Sequence, residues 1–135
     1  MSTAIRKGLY AKLTATSSVT TLLATSTSIF HGQAPPNAAY PYIILSKQSN
    51  ARTRSFNQVA FEAETWMVKA VDRNTTSDRA EGIRNAVATA LTNGTITASG
   101  RTIQDIFPTG DIDYLEAEGD QTYRHHGLLF RIVTS

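Results

Sequence analysis

From Val59 to Val71 the chain alternates apolar and polar residues over the longest stretch that reads as a single strand. Val59, Phe61, Ala63 and Met67 share one face, and Glu62 and Glu64 point the other way. Strict alternation also sets Trp66 and Val68 beside the glutamates, so either a bulge shifts the phase or the glutamate face is partly covered. A strand of this length needs a sheet, and the rest of the chain supplies its neighbours. Ser28–Gly32 and Tyr40–Leu45 read as strands before it, separated by a loop stiffened by Pro35 and Pro36. Segments near 95–98, 101–107, 112–118 and 122–133 read as strands after it, broken by Ser99-Gly100, Pro108-Thr109-Gly110 and Gly119-Asp120.

Three helices accompany these strands. Residues 3–15 repeat Ile5, Leu9 and Leu13 on one stripe, with Arg6, Lys7 and Lys12 off it and Gly8 as a weak point. A short helix capped by Ser17 or Ser18 buries Val19, Leu22 and Leu23. The clearest helix runs from about Asp78 to Thr92, capped by Ser77 or Asp78, with Glu81 in its first turn, and ends at Asn93-Gly94. Its buried stripe is Ile83, Val87, Ala90 and Leu91. The order is that of an α+β domain: two N-terminal helices and one central helix packed against a largely antiparallel β-sheet. A length of 135 residues fits a single domain, 1–135, with one core. Leu9, Leu13, Phe61, Ile83, Val87, Leu91 and Phe130 are assigned to that core. Trp66 joins them, since a lone strand tryptophan is more often core than interface anchor.

Residues 46–58 are polar and longer than an ordinary connection, which predicts either a binding loop or the tip of a long hairpin. The segment carries Lys47, Arg52, Arg54 and one aromatic, Phe56. Charge along the chain is segregated. Residues 1–61 hold six basic residues and no acid, whereas the remainder holds seven basic and eleven acidic residues, a net of −4. Six of those acids fall between Asp105 and Asp120. Copies with a basic front and an acidic rear attract one another head to tail, the heterologous contact that closes rings.

Catalytic chemistry finds no constellation here. The chain has no cysteine, which excludes disulfides, thiolate metal sites and cysteine nucleophiles. His125-His126 on a strand point to opposite faces and do not share a metal. Asp111, Asp113, Glu116 and Glu118 lack the spacing of a calcium loop. No nucleophile elbow or phosphate-cradling glycine loop occurs. One aromatic among three spread cations is a weak signal for specific nucleic-acid binding. No apolar run is long enough to span a bilayer, the N-terminus lacks the features of a signal peptide, and the sequons at Asn74 and Asn93 read as chance matches. Synthesis in a cytoplasm is expected. No metal, cofactor or catalytic residue is assigned.

Four ordered segments resemble the tail completion proteins of long-tailed bacteriophages, a family with members that terminate tails or join them to heads and with relatives in gene transfer particles. They are the short apolar helix Val19-Thr20-Thr21-Leu22-Leu23 after the N-terminal helix, and the passage from Ile29 through Pro35-Pro36 to Tyr40-Pro41-Tyr42-Ile43-Ile44-Leu45. They continue with Glu64-Thr65-Trp66-Met67-Val68 followed by the helix to Leu91, and with the closing strand Tyr123 to Ile132. The resemblance implies a structural virion protein at the tail–head junction that forms a ring, commonly of six subunits. Such a ring docks on the major tail tube protein, halts its polymerisation and binds the head completion or connector protein, with DNA passing through the lumen. A head completion or stopper protein and, in a different class, a monomeric protein-binding module are the alternatives.

Interface roles are expected for Lys47, Arg52, Arg54 and Phe56 on the polar segment, and for Asp105, Asp111, Asp113, Glu116 and Glu118 on the acidic one. Reversing Arg52 and Arg54 is expected to impair capping and leave the domain's stability nearly unchanged.

Overall fold

A computed structural model describes residues 2–55, 58–73, 78–92 and 96–135, with backbone alone for residue 2 and for 53–55 and 58–60. Outside the described residues lie Phe56, the Ser77 cap, the Asn93-Gly94 stop and both sequons. The elements are α1 (Ser2–Thr14), α2 (Ser17–Thr20), β1 (Ile29–His31), β2 (Tyr42–Ser55), β3 (Gln58–Asp72), α3 (Asp78–Leu91), β4 (Ile103–Glu118) and β5 (Gln121–Thr134). The five strands lie in the order β1-β2-β3-β5-β4; β1 runs parallel to β2 and every other pair is antiparallel. This is the expected α+β architecture.

The helices cover one face of the sheet. Ile5, Leu9 and Leu13 of α1 and Ile83, Val87 and Leu91 of α3 bury their stripes in a single cluster with Ile43, Leu45, Trp66, Val68, Leu128, Phe130 and Ile132. Gly8 has a reason to interrupt α1: a β-carbon there would lie 2.5 Å from the Thr97 carbonyl oxygen, so the helix approaches that backbone only without one. Gly127 serves similarly in β5, where a side chain would collide with the Val68–Lys69 backbone.

The phase of β3 differs from the expectation. Its register with β5 is unbroken from Glu62 to Asp72, so no bulge intervenes there; the irregularity of β3 against β2 lies nearer the hairpin tip, between Phe61 and Val59. Even-numbered residues from Glu62 to Ala70 all face the helices, and Glu62 and Glu64 are buried with Trp66. Phe61, assigned to the core from its alternation, lies on the opposite face and is 47% exposed. The indole decides the phase: burying Trp66, Val68 and Ala70 together outweighs bringing two carboxylates inside, provided those carboxylates are paired.

Other boundaries move for identifiable reasons. Segment 46–58 belongs to a long hairpin, with β2 running out to Ser55 and Ser55 paired to Gln58. Strands expected separately at 101–107 and 112–118 form one β4, which passes Pro108 through an irregularity between Pro108 and Gly110. Proline is tolerated there because β4 is an edge strand. Of the strand expected at 95–98, the described part makes only an isolated bridge, Ala98 to Arg101. Thr16 occupies the N-cap position of α2 and makes no side-chain cap bond, and Leu22 is 43% exposed where burial was expected.

Candidate functional site

The sheet carries two hairpins that overshoot it at opposite ends. Glu62 pairs with Thr134 and Asp72 with Arg124, so β5 ends where the β2–β3 hairpin begins to project. At the other end the β4–β5 hairpin continues beyond β3, through Glu116↔Tyr123 to Glu118↔Gln121. Lys47, Arg52 and Arg54 lie on β2 of the first hairpin; Asp111, Asp113, Glu116 and Glu118 lie on β4, toward the second tip. The basic set thus lies on β2 and the acidic set on β4, with β3 and β5 between the two strands. Asp105 stands apart, near the start of β4, and accepts a hydrogen bond from the Ile106 N–H at 2.9 Å.

A buried charge cluster roots the basic hairpin. Arg52 falls directly opposite Glu62 and donates from Nε to Oε1 at 2.7 Å. Asn50 donates to the same oxygen at 3.4 Å, and Arg101 Nη2 lies 3.2 Å from Oε2. Arg101 is held in turn by Thr134, whose hydroxyl accepts from Nε at 3.1 Å and Nη2 at 2.8 Å. Burial pushes the Glu62 carboxyl up, but the bonds from Arg52 and Asn50 and the charges of Arg101 and Arg52 outweigh it and hold the group below its ordinary value. The Arg52 side chain remains 57% exposed against 3% for Glu62. Arg52 is thus both a strut and a surface charge, so its reversal is expected to cost stability as well as surface charge. Deeper in the sheet, Glu64 accepts a hydrogen bond from Trp66 Nε1 at 2.8 Å.

The acidic hairpin is tied at its surface. Asp111 pairs with Arg84 of α3, Asp113 with Arg124 at 3.0 Å, and Glu116 with His125 Nε2 at 2.9 Å. The His125 ring stacks on Tyr114 at 4.4 Å and is itself buried. Burial lowers its pKa, with Lys69 acting the same way, against the opposing pull of Glu116. Glu118 borders an open cleft of about 980 Å³ that also takes in Pro35, Pro36, Tyr40, Tyr42, Asp72, Arg73, Arg79 and Tyr123. Tyr40 lies 5.1 Å from Tyr42 and 5.5 Å from Tyr123, ring centre to ring centre. Burial and the neighbouring tyrosine push the Tyr42 hydroxyl up to about 12.

Sequence reasoning missed Glu62, Asn50 and Arg101 as partners of the basic hairpin, and Arg84 and Arg124 as partners of the acidic one. A signal for the first existed. It was incomplete: a regular register from Ser55 opposite Gln58 would carry Arg52 to Phe61, and only the irregularity between Thr53 and Arg54 brings it to Glu62. Among the described residues no group of three or more histidines, cysteines or acids is placed to hold a metal, and no helix is long and apolar enough to cross a membrane.

No curated protein matches the chain in sequence. Among solved structures, a chain from the virion of a native gene transfer agent particle superposes with a TM-score of 0.82 at 14% identity, covering 99% of this chain and 97% of that one. A second solved chain superposes with a TM-score of 0.61, also at 14% identity, over 98% and 95% of the two chains. At such identities these likenesses concern the fold. The sequence itself matches the family Tail completion protein gp17 over residues 7–135, nearly the whole chain. The chain belongs to the tail completion protein gp17 family and is a structural protein of the virion tail.

Proposed function

We propose that the protein forms a ring, hexameric as the family resemblance implies, that caps the tail tube at the tail–head junction. The ring stops polymerisation of the major tail tube protein, joins the tail to the head completion or connector protein, and lets DNA through its lumen without sequence-specific contacts. The observation that carries this reading is the pair of oppositely charged hairpins at opposite ends of one sheet. Surfaces of this kind are complementary between copies and not within one, which favours a closed ring over a monomer or a two-fold dimer. Sealing and joining require fitted surfaces and no bond-making, and the reading assigns no residue to catalysis.

Purified tail tube protein polymerised with and without the chain tests the proposal. Expected are tubes of limited length, each ending in a ring of six subunits by mass and by electron microscopy. Binding to the portal-bound connector alone would favour a stopper protein, and a monomer that ignores tubes at every concentration would favour a binding module.

A further inference from the structure

Both edges of the sheet are open over long stretches. β1 pairs with β2 only at Ile43, Ile44 and Leu45, so from Ser46 to Ser55 the β2 backbone pairs with β3 alone among the described residues, with an irregularity at Gln48 and a continuous stretch from Ser49. At the other side the 16-residue β4 closes the strand order and, among the described residues, pairs its backbone with β5 alone. An unpaired edge exposes a row of N–H and C=O groups that templates pairing with another chain, and proteins usually shorten or cover it. Here neither edge is short.

Their chemistry is complementary. The open stretch of β2 holds Lys47, Arg52 and Arg54 and no acid, and β4 holds five acids and no base. Like charges on facing strands oppose pairing, so β2 with β2 or β4 with β4 is disfavoured, whereas β2 with β4 is favoured. Direction agrees as well. Three successive antiparallel pairings separate β2 from β4, so the two run in opposite senses. A copy related by rotation within a ring keeps its strand sense, so its β2 meets β4 antiparallel. Pro108 offers no N–H, and the irregularity that follows it leaves residues 110–118 as the continuous stretch, with Asp111, Asp113, Glu116 and Glu118 on it.

We propose that residues 46–55 of β2 pair antiparallel with residues 110–118 of β4 in a second copy, so that the sheet continues from subunit to subunit. The proposal rests on the ring reading and specifies how the ring closes.

Absence of native cysteine makes cross-linking clean. Variants carrying one cysteine on each edge, Ser49→Cys or Ala51→Cys with Leu115→Cys or Ala117→Cys, are assembled on tail tubes and oxidised. Adjacent strands bring α-carbons within the reach of a disulfide. Expected is a ladder of linked subunits for at least one pairing and none beyond a dimer for either cysteine alone. In parallel, hydrogen exchange of the unsubstituted protein is compared before and after assembly. Backbone amides within 46–55 and 110–118 are expected to slow at least about tenfold, an opening cost of about 1.4 kcal/mol. A ring of the right mass with no ladder in any pairing and protection confined to other surfaces overturns edge pairing and leaves the ring standing. A chain that stays monomeric on and off tubes removes both.

Discussion

The basic and acidic hairpins leave the sheet at opposite ends and are held in opposite ways. At the root of the β2–β3 hairpin, Glu62 is buried and gathers Arg52, Asn50 and Arg101. Along the β4–β5 hairpin, Asp111, Asp113 and Glu116 are about half-exposed or more and reach partners across the surface. Exposed pairs contribute little to stability, whereas a buried pair is costly to break because the remaining charge is stranded. One hairpin is therefore built into the fold, and the other is laid on it. Both nevertheless present charged side chains to solvent, Arg52 on one and Asp111 on the other.

Glu62→Gln should have the largest effect. It preserves shape but leaves Arg101, 13% exposed, without its buried counter-charge, and should cost about 3–5 kcal/mol in urea unfolding. Asp113→Asn, its counterpart on the acidic hairpin, should stay within about 1 kcal/mol. Equal losses would erase the distinction between the hairpins. The pH response sharpens it. Glu62 has a folded pKa below its ordinary value of 4.5, so its contribution is fully present above 4.5 and is lost as pH falls through the folded value. Glu62→Gln should flatten that part of the acid unfolding curve, and Asp113→Asn should not.

Trp66→Phe comes next. Phenylalanine fills most of the indole's space but withdraws the donor that Glu64 accepts at 2.8 Å. A buried carboxylate losing a partner should cost about 1–3 kcal/mol, read as a shift in the urea midpoint. Restoration by combining it with Glu64→Gln would show that the loss is one of hydrogen bonding and not of packing.

These buried glutamates also mark where the sequence stopped being readable. Element order, the α+β class and the stripes of α1 and α3 follow from periodicity, because Ile5, Leu9 and Leu13 or Ile83, Val87 and Leu91 agree with their surroundings. β3 carries two conflicting signals, Phe61 and Met67 on one face and Trp66 and Val68 with two glutamates on the other. Alternation alone cannot rank them. The decision depends on whether partners for the carboxylates exist: Glu64 finds one locally in Trp66, but those of Glu62 are Asn50, Arg52 and Arg101, remote in sequence. The candidate residues were legible as charge types, since Arg52 and Asp113 are conspicuous in their runs. Their division between strut and surface was not, because it depends on strand register. Pro108 misled in a third way: its strand-breaking signal is strong locally but loses force on an edge strand.

Charge reversal tests what the two hairpins share. Lys47→Glu with Arg54→Glu leaves Arg52, Asn50 and Arg101 in place on Glu62 and should cost less stability than Glu62→Gln. Capping should nevertheless fail, scored as the fraction of tubes that grow past limited length. Adding Asp113→Lys and Glu118→Lys to the same chain should recover part of it, since attraction between copies is restored with the signs exchanged. Undisturbed capping by the first pair would remove the basic hairpin from the assembly contact.

The smallest effect belongs to His125, and its sign separates burial from ion pairing on the acidic hairpin. Were the bond to Glu116 dominant, the folded pKa would be raised and acid would stabilise. Burial against Tyr114 instead lowers it, and Nδ1 is buried with no hydrogen-bond partner among the described residues, so a second ring proton has no acceptor there. With the folded value below the ordinary 6.5, the contribution is present above 6.5 and is lost as pH falls through the folded value. Stability measured downward from pH 7.5 should decline as His125 titrates. His125→Gln should remove that slope. Glu116→Gln should steepen it, because the opposing influence is then gone. A stability that rises as the pH is lowered would show that the surface pair, and not the stacked and buried ring, governs this hairpin.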